Sequence, residues 1–569
     1  MKRLITYHLP ACSAGGSLIT IFLVGAFLRF YKLDWGSGYF FHPDEYHIAA
    51  GVDRLSFPTQ MNPHLFSYGS FTVYLIYFTQ SIFSFLTSHF SFLKSHFPLL
   101  ASHFSNAILI GRFYSALFST LTILLVYLIS KTIFSVSLYR YIVISLVATL
   151  PGLIQQAHFA TPESILTFWL LFTLLIALKF LKTKKNRYIY FASASQGFAL
   201  GTKIVALTFV PVVLLPLLFT FKLPRISLIR LMGKMFVLLL ITFFFFSLSF
   251  PYALLDWQSF RGSWEYESGV ATGRLPVFYT RQFIDTTPII FQFQKIFPYA
   301  LGPGVLVLGG LGLLGILGHL SILGIRRKPH IAYTVYRILL LFAFLCYFLP
   351  NAFLFAKWTR FMAPIFPFFA IFAGFFFQFA QLKLLRVTGY GLVLINLIWA
   401  ATFFSIYLHS DVRLVATAWL NQNLPANSVI LTESGNMLEV PLEGNLKKTA
   451  FDFYHLEENK ELQAQLPKLL AQAEYFIIQS RRIFSNHQRL PAQFPKTANF
   501  YNLLFTGELG FEKIKGFNSF PKLELGAWSL ELNDEVGEET WSVFDHPVIR
   551  IYKKTNFLTK EDYEKILEN

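Results

Sequence analysis

The sequence predicts an α-helical membrane protein with about eleven transmembrane helices, followed by an extracytoplasmic α/β domain. The chain has 569 residues, of which 54% are hydrophobic and only 14% charged, whereas a soluble domain carries roughly 25% charged residues. Runs such as 236–250 and 305–323 are almost wholly apolar, as a helix that crosses a bilayer requires. Two further observations, the one-sided basic clusters and a change of composition after residue 409, set the topology.

The predicted spans are apolar segments of the length that a bilayer requires. They lie at about 15–33, 108–130, 141–157, 162–180, 188–202, 204–221, 235–252, 298–325, 331–350, 361–381 and 387–408. The first of them follows Met1-Lys2-Arg3 without a clear small-residue cleavage site, so we expect an uncleaved span. Segment 68–86 is apolar but rich in Ser, Thr and Gln, and we interpret it as a helix that lies along the membrane interface.

The basic residues support this topology. If segment 68–86 does not cross, the Lys/Arg clusters at 131–140, 179–187, 222–234, 326–328 and 383–386 share the side of the N-terminus, as the positive-inside rule requires. The N-terminus is then cytoplasmic in a plasma or inner membrane, and the odd number of spans places the C-terminal domain outside. The net charge of +17 is therefore a topology signal, and no nucleic-acid partner is expected.

Two domains are predicted from composition. Residues 1–409 form the membrane domain, with a first outer loop at about 34–107. Residues 410–569 contain 17 Lys/Arg and 22 Asp/Glu and only short apolar runs. Their pattern predicts helices at 411–423 and 460–473 and strands at 428–432, 475–479 and 548–553. The two cysteines, Cys12 and Cys346, are distant in the chain and imply no disulfide framework.

All acidic residues before position 410 fall on the outer side in this topology. They are Asp34, Asp44, Glu45, Asp53, Glu163, Asp256, Glu265, Glu267 and Asp285. A simpler explanation of this one-sided distribution is that the inner loops are short and basic, which leaves few positions for acidic residues on the inner side. Charges held at membrane depth are nevertheless costly and usually functional, which singles out Glu163.

Two acidic motifs are candidates for chemistry. Phe41-His42-Pro43-Asp44-Glu45 follows the first span, and His158-Phe-Ala-Thr-Pro-Glu163 opens a later span. Helix capping is the structural alternative in both places, with Asp44 and Glu45 near free helix amides and Thr161 as a cap before Pro162. Capping explains a threonine well, but a glutamate that faces a membrane-embedded cavity less well.

Four cations lie on the same outer side, against the charge bias: Arg112, Lys203, Lys357 and Arg360. Outer cations can extend to lipid phosphates, which is the simpler interpretation of Arg112 alone. Lys357 and Arg360 flank Trp358 and suit a clamp for a phosphate or diphosphate. The sequence shows no nucleotide loop, zinc spacing or nucleophile elbow, so any sugar donor should be borne by a lipid.

Over roughly residues 15–410 the sequence resembles the GT-C superfamily of polyprenyl-phosphate-sugar glycosyltransferases, near protein O-mannosyltransferases and lipid A aminoarabinose transferases. The motifs that carry the resemblance are Pro43-Asp44-Glu45, Asn62-Pro63 before Tyr68, Gly111-Arg112, Ala160-Thr-Pro-Glu163, Gly197–Lys203 (GFALGTK) and Arg360-Phe-Met-Ala-Pro364-Ile-Phe-Pro367.

The resemblance implies an inverting sugar transfer from a polyprenyl-phosphate donor to a lipid, glycan or protein acceptor. It makes Asp44 the catalytic base, with Glu45 beside it and Glu163 in place of a second acid that is commonly Asp. Lys203 and Arg360 correspond to contacts with the donor phosphate, and Tyr68 stands where some relatives have a lysine.

The resemblance settles no cofactor, because some relatives use a divalent metal and others do not. The residues here that could ligate one are His42, Asp44 and Glu163. His42, Tyr68 and His158 are candidate substrate contacts.

Two other classes of function remain open at this point. A lipid or glycan transporter or flippase would be expected to show an internal repeat with paired broken helices, and no second copy of the Pro43-Asp44-Glu45 region occurs. In a non-catalytic assembly protein, residues 410–569 would carry the function and the carboxylates would be caps. The pair Asp545-His546 is interpreted as a turn before the strand at 548–553.

Overall fold

The computed structural model describes residues 11–90, 105–220, 225–323, 331–434, 439–442, 444–525 and 528–568. The chain forms two compact units. The first unit comprises residues 1–33, 44–272 and 287–401, and the second comprises residues 34–43, 273–286 and 402–569. The second unit thus includes two segments of the predicted outer loops besides the predicted C-terminal domain.

The described residues before position 405 are mostly helical. Its helices are Ala11–Phe30, Pro43–Asp53, Ser70–His89, Ala107–Ile133, Ser137–Ala148, Pro151–Ala157, Glu163–Thr183, Asn186–Thr202, Val210–Leu218, Arg225–Ser249, Tyr252–Leu255, Trp257–Thr272, Phe297–Ala300, Pro303–Leu323, Ile331–Ala352, Thr359–Met362, Phe366–Phe379 and Lys383–Phe404. Short 3₁₀ turns lie at Ile204–Phe209, Phe278–Phe283, Ala363–Ile365 and Ser405–Tyr407, and a π-helical turn lies at Gln292–Ile296.

Within the described residues, seven helices are long and apolar enough to cross a membrane, and a bent pair raises the number to eight. Two shorter apolar helices, Gly16–Phe30 and Ile204–Leu218, lie where spans are predicted. The prediction of a multi-pass helical membrane protein is confirmed, whereas the number of crossings stays a prediction. Helix Ser70–His89 is outside this set, and its interfacial placement also stays a prediction.

The bent pair consists of Ser137–Ala148 and Pro151–Ala157, which meet at 49°. The buried Arg29 guanidinium donates to the carbonyls of Val147 and Ala148 at 2.9 and 2.7 Å, and to Gly25 O at 2.9 Å. Its Nε donates to Ser119 Oγ at 2.8 Å. Since buried carbonyls need donors where a helix breaks, Arg29 stabilises the bend that precedes the His158–Glu163 motif.

Close helix packing explains the glycines of the GFALGTK motif. A Cβ at Gly197 would lie 2.6 Å from Thr242 O, and one at Gly201 would lie 1.9 Å from Ser249 Oγ. The four-residue spacing places both glycines on the face of helix Asn186–Thr202 that meets helix Arg225–Ser249, as small residues do at membrane helix contacts. The motif therefore fixes the backbone that ends at Lys203.

The second unit contains an α/β fold. Its strands are β1 Val429–Glu433, β2 Lys447–Phe451, β3 Tyr475–Ile478, β4 Phe511–Phe517, β5 Leu523–Leu525, β6 Trp528–Leu530 and β7 Ile549–Lys554. Five of them form a sheet in the order β2-β1-β3-β7-β4, and β5 pairs with β6. The pairs β1–β2 and β1–β3 are parallel, and β7 is antiparallel to β3 and β4.

Helices cover both faces of this sheet. They are Val412–Asn423, Lys460–Gln472, Phe484–Arg489, Pro495–Thr506, Glu539–Ser542 and Lys560–Glu568. Alternate residues of β1 enter different cores, since Ile430 packs with Val412 and Leu420, while Leu431 packs in the other cluster. The predicted C-terminal α/β fold is confirmed, although the sequence did not predict β2, β4, β5 and β6.

Candidate functional site

Asp44 lies in the first turn of helix Pro43–Asp53, and its carboxylate forms an ion pair with Arg360. The two side chains are 16% and 18% exposed, so the pair is accessible to a ligand. Arg360 lies at the start of helix Thr359–Met362. The structure thus brings together the first acidic motif and the cation that precedes the Pro-rich span, although 315 positions separate them in the chain.

Arg360 is held by aromatic side chains. Its Nη1 donates to Tyr68 Oη at 3.4 Å, and its guanidinium carbon lies 5.2 Å from the ring centroid of Trp358 and 6.0 Å from that of Phe361. Such cation–π contacts stabilise a charge without neutralising it. The rings therefore hold the Arg360 guanidinium in place without supplying a negative charge.

The second acidic motif forms a matching pair. Lys203 Nζ donates to Glu163 Oε1 at 2.7 Å, with the side chains 12% and 1% exposed. Helix Glu163–Thr183 begins at Glu163 with Pro162 as its N-cap, without a side-chain cap bond, so the predicted Thr161 cap is wrong. The carboxylate instead faces Lys203, and its Oε2 has no hydrogen-bond partner among the described residues.

Tyr68 and Phe361 connect the two ion pairs. Lys203 Nζ lies 5.4 Å from the ring centroid of Tyr68 and 4.9 Å from that of Phe361, and both rings also contact Arg360. The backbone fixes this neighbourhood, because Gly69 N donates to Thr202 O at 3.1 Å. Two acids, two cations and two aromatic rings therefore form one continuous group.

Glu45 and Arg112 lie apart from this group in a sealed pair. The Arg112 Nε and Nη2 donate to the two Glu45 carboxylate oxygens at 2.8 and 2.7 Å, and both side chains are fully buried. Glu45 also accepts from Ala160 N at 2.7 Å, and Arg112 donates to Leu33 O at 2.7 Å. This geometry does not support the prediction that Glu45 is catalytic and that Arg112 binds phosphate, because neither side chain reaches solvent.

His158 and Lys357, two further residues that were predicted to contact substrate or phosphate, are also buried. His158 is fully buried, with its ring nitrogens 2.8 and 2.9 Å from the carbonyls of Ile154 and Tyr31. Lys357 is 2% exposed and donates to Phe355 O at 2.9 Å, and burial lowers its pKa to about 8. These positions do not support direct substrate contact by His158 or phosphate binding by Lys357.

His42 belongs to the second unit. It is 2% exposed, and its ring lies 4.2 Å from that of Phe544. Its position therefore does not support the prediction of a substrate contact. Among the described residues, no group of three or more His, Cys, Asp and Glu side chains has the arrangement of a metal site.

Glu267 is one of the outer acidic residues to which the sequence gave no role. It lies in helix Trp257–Thr272 and is exposed, yet desolvation by the surrounding protein raises its pKa, while the positive charge of Lys203 lowers it. Glu267 is therefore within electrostatic reach of Lys203. Its position in an outer loop carried no signal of this proximity.

Part of the chain matches a family of known proteins. The family model described as dolichyl-phosphate-mannose-protein mannosyltransferase matches residues 101–266, which include Glu163 and Lys203. No curated protein sequence matches the chain.

Two similar solved structures are an oligosaccharyltransferase and ArnT. The oligosaccharyltransferase of Archaeoglobus fulgidus, tethered to an acceptor peptide with the NVT sequon, has 14% identity and a TM-score of 0.48, over 86% of this chain and 72% of that one. ArnT from Cupriavidus metallidurans, bound to undecaprenyl phosphate, has 13% identity and a TM-score of 0.44, over 85% of this chain and 95% of that one.

The family match bears on what the chain does. It confirms the resemblance to protein O-mannosyltransferases over residues 101–266 and the prediction of an enzyme. The apolar helices confirm a multi-pass membrane protein. The similarity to this family over residues 101–266, together with the apolar helices, supports glycosyltransferase activity in a membrane protein.

Proposed function

We propose that the protein transfers a sugar from a polyprenyl-phosphate donor to an extracytoplasmic lipid, glycan or protein acceptor, with inversion and with Asp44 as the base. The observation that carries the proposal is the joined group of ion pairs, Asp44–Arg360 and Glu163–Lys203, around Tyr68 and Phe361. The matching family is named for a dolichyl-phosphate-mannose donor, which agrees with a lipid-borne sugar phosphate.

The two cations are suited to a phosphate. In the ligand-free protein they are paired with carboxylates. The donor's phosphodiester, whose two non-bridging oxygens share one negative charge, competes for the same N–H groups, since charge-assisted bonds to phosphate are strong. When the phosphate takes Arg360, Asp44 loses its counter-charge and becomes more basic, because a neighbouring cation favours the ionised form of a carboxylate. Donor binding thereby prepares the base.

The chemical step follows from these positions. The acceptor O–H or N–H attacks the anomeric carbon from the side opposite the phosphate, and its proton passes to the Asp44 carboxylate. The bond between the anomeric carbon and the phosphate oxygen breaks, and its electron pair leaves with the polyprenyl phosphate beside Lys203 and Arg360. General-base assistance contributes roughly 10²- to 10⁴-fold, and fixed cations stabilise the developing charge.

An apolar groove supplies a place for the donor's lipid. It has a volume of about 400 Å³ and is lined by residues that include Phe71, Phe78, Phe198 and Leu248. Phe198 belongs to the helix that ends directly before Lys203, and Phe71 lies three residues after Tyr68. We assign the groove to the first isoprene units next to the phosphate. Its apolar walls suit the polyprenyl chain, and the nearby cations Lys203 and Arg360 suit the phosphate.

The topology belongs to the same proposal. We place the N-terminus in the cytoplasm of a plasma or inner membrane and residues 410–569 outside, because the basic clusters then obey the positive-inside rule. The transfer site and the acceptor are accordingly extracytoplasmic.

A donor panel tests the function. Purified protein in nanodiscs is incubated with polyprenyl-phosphate hexoses and pentoses, mannose first, with a mixed glycan and peptide acceptor pool, and released polyprenyl phosphate is measured. We expect turnover with at least one donor and a loss of about 10²-fold or more in Asp44→Asn, because the amide cannot accept the proton.

Asp53→Asn is the matched control, since Asp53 lies at the exposed end of the same helix, and it should keep wild-type turnover. The proposal is wrong if every donor is inert, or if Asp44→Asn retains more than about a tenth of the wild-type rate.

A further inference from the structure

Arg337 is a buried charge within the first unit that the proposed reaction does not use. It is 9% exposed and lies in helix Ile331–Ala352, which contains a segment long and apolar enough to cross a membrane. Helix Phe366–Phe379 begins shortly after Arg360 and ends beside Arg337, and it is about 20 Å long at about 1.5 Å per residue. Arg337 therefore lies at the far end of this helix from the Asp44–Arg360 pair.

The guanidinium of Arg337 has no counter-charge within the chain. In the part of the chain that the structure describes, Arg337 forms no ion pair and no hydrogen bond. The sequence between residues 286 and 410 contains no Asp or Glu, so neither its own helix nor its neighbours Pro303–Leu323 and Phe366–Phe379 can supply one. A charge at membrane depth is costly and is ordinarily paired, so the expected counter-charge is an anion from outside the chain.

Two aromatic rings hold the guanidinium in place. Its carbon lies 5.5 Å from the ring centroid of Phe375 and 5.4 Å from that of Phe379, and these two rings stack with centroids 5.9 Å apart. A long basic side chain at a membrane helix end can extend freely toward the lipid surface, but Arg337 is buried against the rings. A guanidinium stacked in this way presents its N–H fork at the edge, where the fork matches the oxygens of a phosphate.

Two further basic residues border the same place. The His319 ring lies 5.5 Å from the Phe379 ring and is partly exposed. The exposed Arg386 donates from Nε to Ala380 O at 2.8 Å, directly after Phe379. An anion beside Arg337 would thus meet a basic pocket where three helices come together.

We propose that Arg337, with His319 and Arg386 around it, binds the phosphate headgroup of an anionic glycerophospholipid. In the proposed topology this end of the helices faces the cytoplasm, where the leaflet is anionic and basic pockets between membrane helices bind such headgroups. The site is separate from the donor site and does not depend on the proposed sugar transfer.

The test uses the full-length protein and measures lipid binding at Arg337. Arg337→Gln removes the charge, and Arg337→Lys keeps the charge but not the planar fork. Arg140→Gln is the matched control, because Arg140 Nε and Nη2 already donate to the carbonyls of Phe134 and Ser135 at 2.9 and 2.8 Å. Native mass spectrometry measures the binding of phosphatidylglycerol and of phosphatidylcholine, whose choline neutralises its own phosphate. Thermal unfolding is measured in nanodiscs of phosphatidylcholine with and without phosphatidylglycerol.

We expect the wild-type chain and Arg140→Gln to prefer phosphatidylglycerol. Arg337→Gln should bind it about tenfold to hundredfold less tightly, the equivalent of one charge-assisted hydrogen bond, and Arg337→Lys should be intermediate. Phosphatidylglycerol should raise the melting temperature of the wild-type chain more than that of Arg337→Gln, because a ligand of the native state stabilises it. If Arg337→Gln does not fold, weaker binding by Arg337→Lys decides the question.

Equal phosphatidylglycerol affinity in the wild-type chain and the Arg337 variants overturns the proposal, as does an equal loss in Arg140→Gln. Two competitors distinguish the sources of the phosphate. Displacement of phosphatidylglycerol by inorganic phosphate would show a site for a soluble anion and contradict the lipid site. Undecaprenyl phosphate affinity should be unchanged in Arg337→Gln, and a parallel loss would assign Arg337 to the polyprenyl lipid instead.

Discussion

Asp44 and Glu45 are adjacent carboxylates with opposite environments. Asp44 pairs with Arg360 where both side chains are 16–18% exposed, whereas Glu45 pairs with Arg112 where both are fully buried. Successive residues of a helix point about 100° apart, so one side chain enters the site and the other enters the packed interior. Charge pairing alone therefore does not identify a catalytic residue, because accessibility to solvent and ligand decides what a pair can do.

The buried pair should have the largest effect on folding. Removal of one partner from a buried ion pair costs roughly 3–5 kcal/mol, because the other charge remains uncompensated. We expect Arg112→Leu and Glu45→Gln to lower the melting temperature and the yield of monodisperse protein, measured by fluorescence-detected size exclusion. Asp44→Asn serves as the neighbouring control and should remain monodisperse.

The double variant Glu45→Leu/Arg112→Leu separates the charge effect from the loss of packing. It should recover part of the stability lost in Arg112→Leu, because no unpaired charge remains. A stable Glu45→Gln protein that lacks turnover would contradict the structural role of Glu45, since Glu45 would then take part in catalysis.

Changes to the two members of the pair Glu163–Lys203, of which only Lys203 is partly exposed, should have opposite effects on ligand binding. Glu163→Gln removes a carboxylate that competes for Lys203, so undecaprenyl phosphate should bind more tightly. Lys203→Gln should weaken the binding of undecaprenyl phosphate about tenfold to hundredfold, which is the equivalent of one charge-assisted hydrogen bond. Tryptophan fluorescence titration with undecaprenyl phosphate measures both affinities. Equal weakening in the two variants would mean that the pair is structural, like Glu45–Arg112.

The membrane helices and four of the site residues could be predicted from the sequence, whereas the pairing of Glu45 with Arg112 could not. Apolar runs predicted the helical membrane region, because crossing a bilayer imposes a length and composition on each helix. The motifs selected Asp44, Glu163, Lys203 and Arg360, which the structure places together, although their catalytic and binding roles stay predictions. The pairing of Glu45 with Arg112 was out of reach, since the two are 67 positions apart and nothing local indicates which of two adjacent acids faces inward.

The second unit illustrates the same limit. The sequence predicted β1, β3 and β7, each of which has a buried isoleucine such as Ile430, Ile477 or Ile551. In contrast, β4 has mostly exposed side chains and gave no such signal. Residues 34–43 belong to this unit, and one of their contacts is that of Phe41 with Arg413, about 370 positions further along the chain. Contacts of that kind are tertiary, and composition or spacing does not encode them.

The exposed pair Arg261–Glu265 should show the smallest effect. Its side chains are 66% and 62% exposed, and Arg261 Nε lies 2.8 Å from Glu265 Oε1 at i,i+4 spacing. Exposed helix pairs of this kind contribute about 0.3–0.5 kcal/mol because solvent screens the charges. Arg261→Ala should therefore change the melting temperature by less than the Glu163 and Arg112 variants do, and leave undecaprenyl phosphate affinity unchanged, as measured by thermal unfolding and titration. A loss of affinity in Arg261→Ala would extend the binding site onto helix Trp257–Thr272, which also carries Glu267. Distance from Lys203, rather than solvent exposure, would then be the property that distinguishes ligand-binding ion pairs from structural ones.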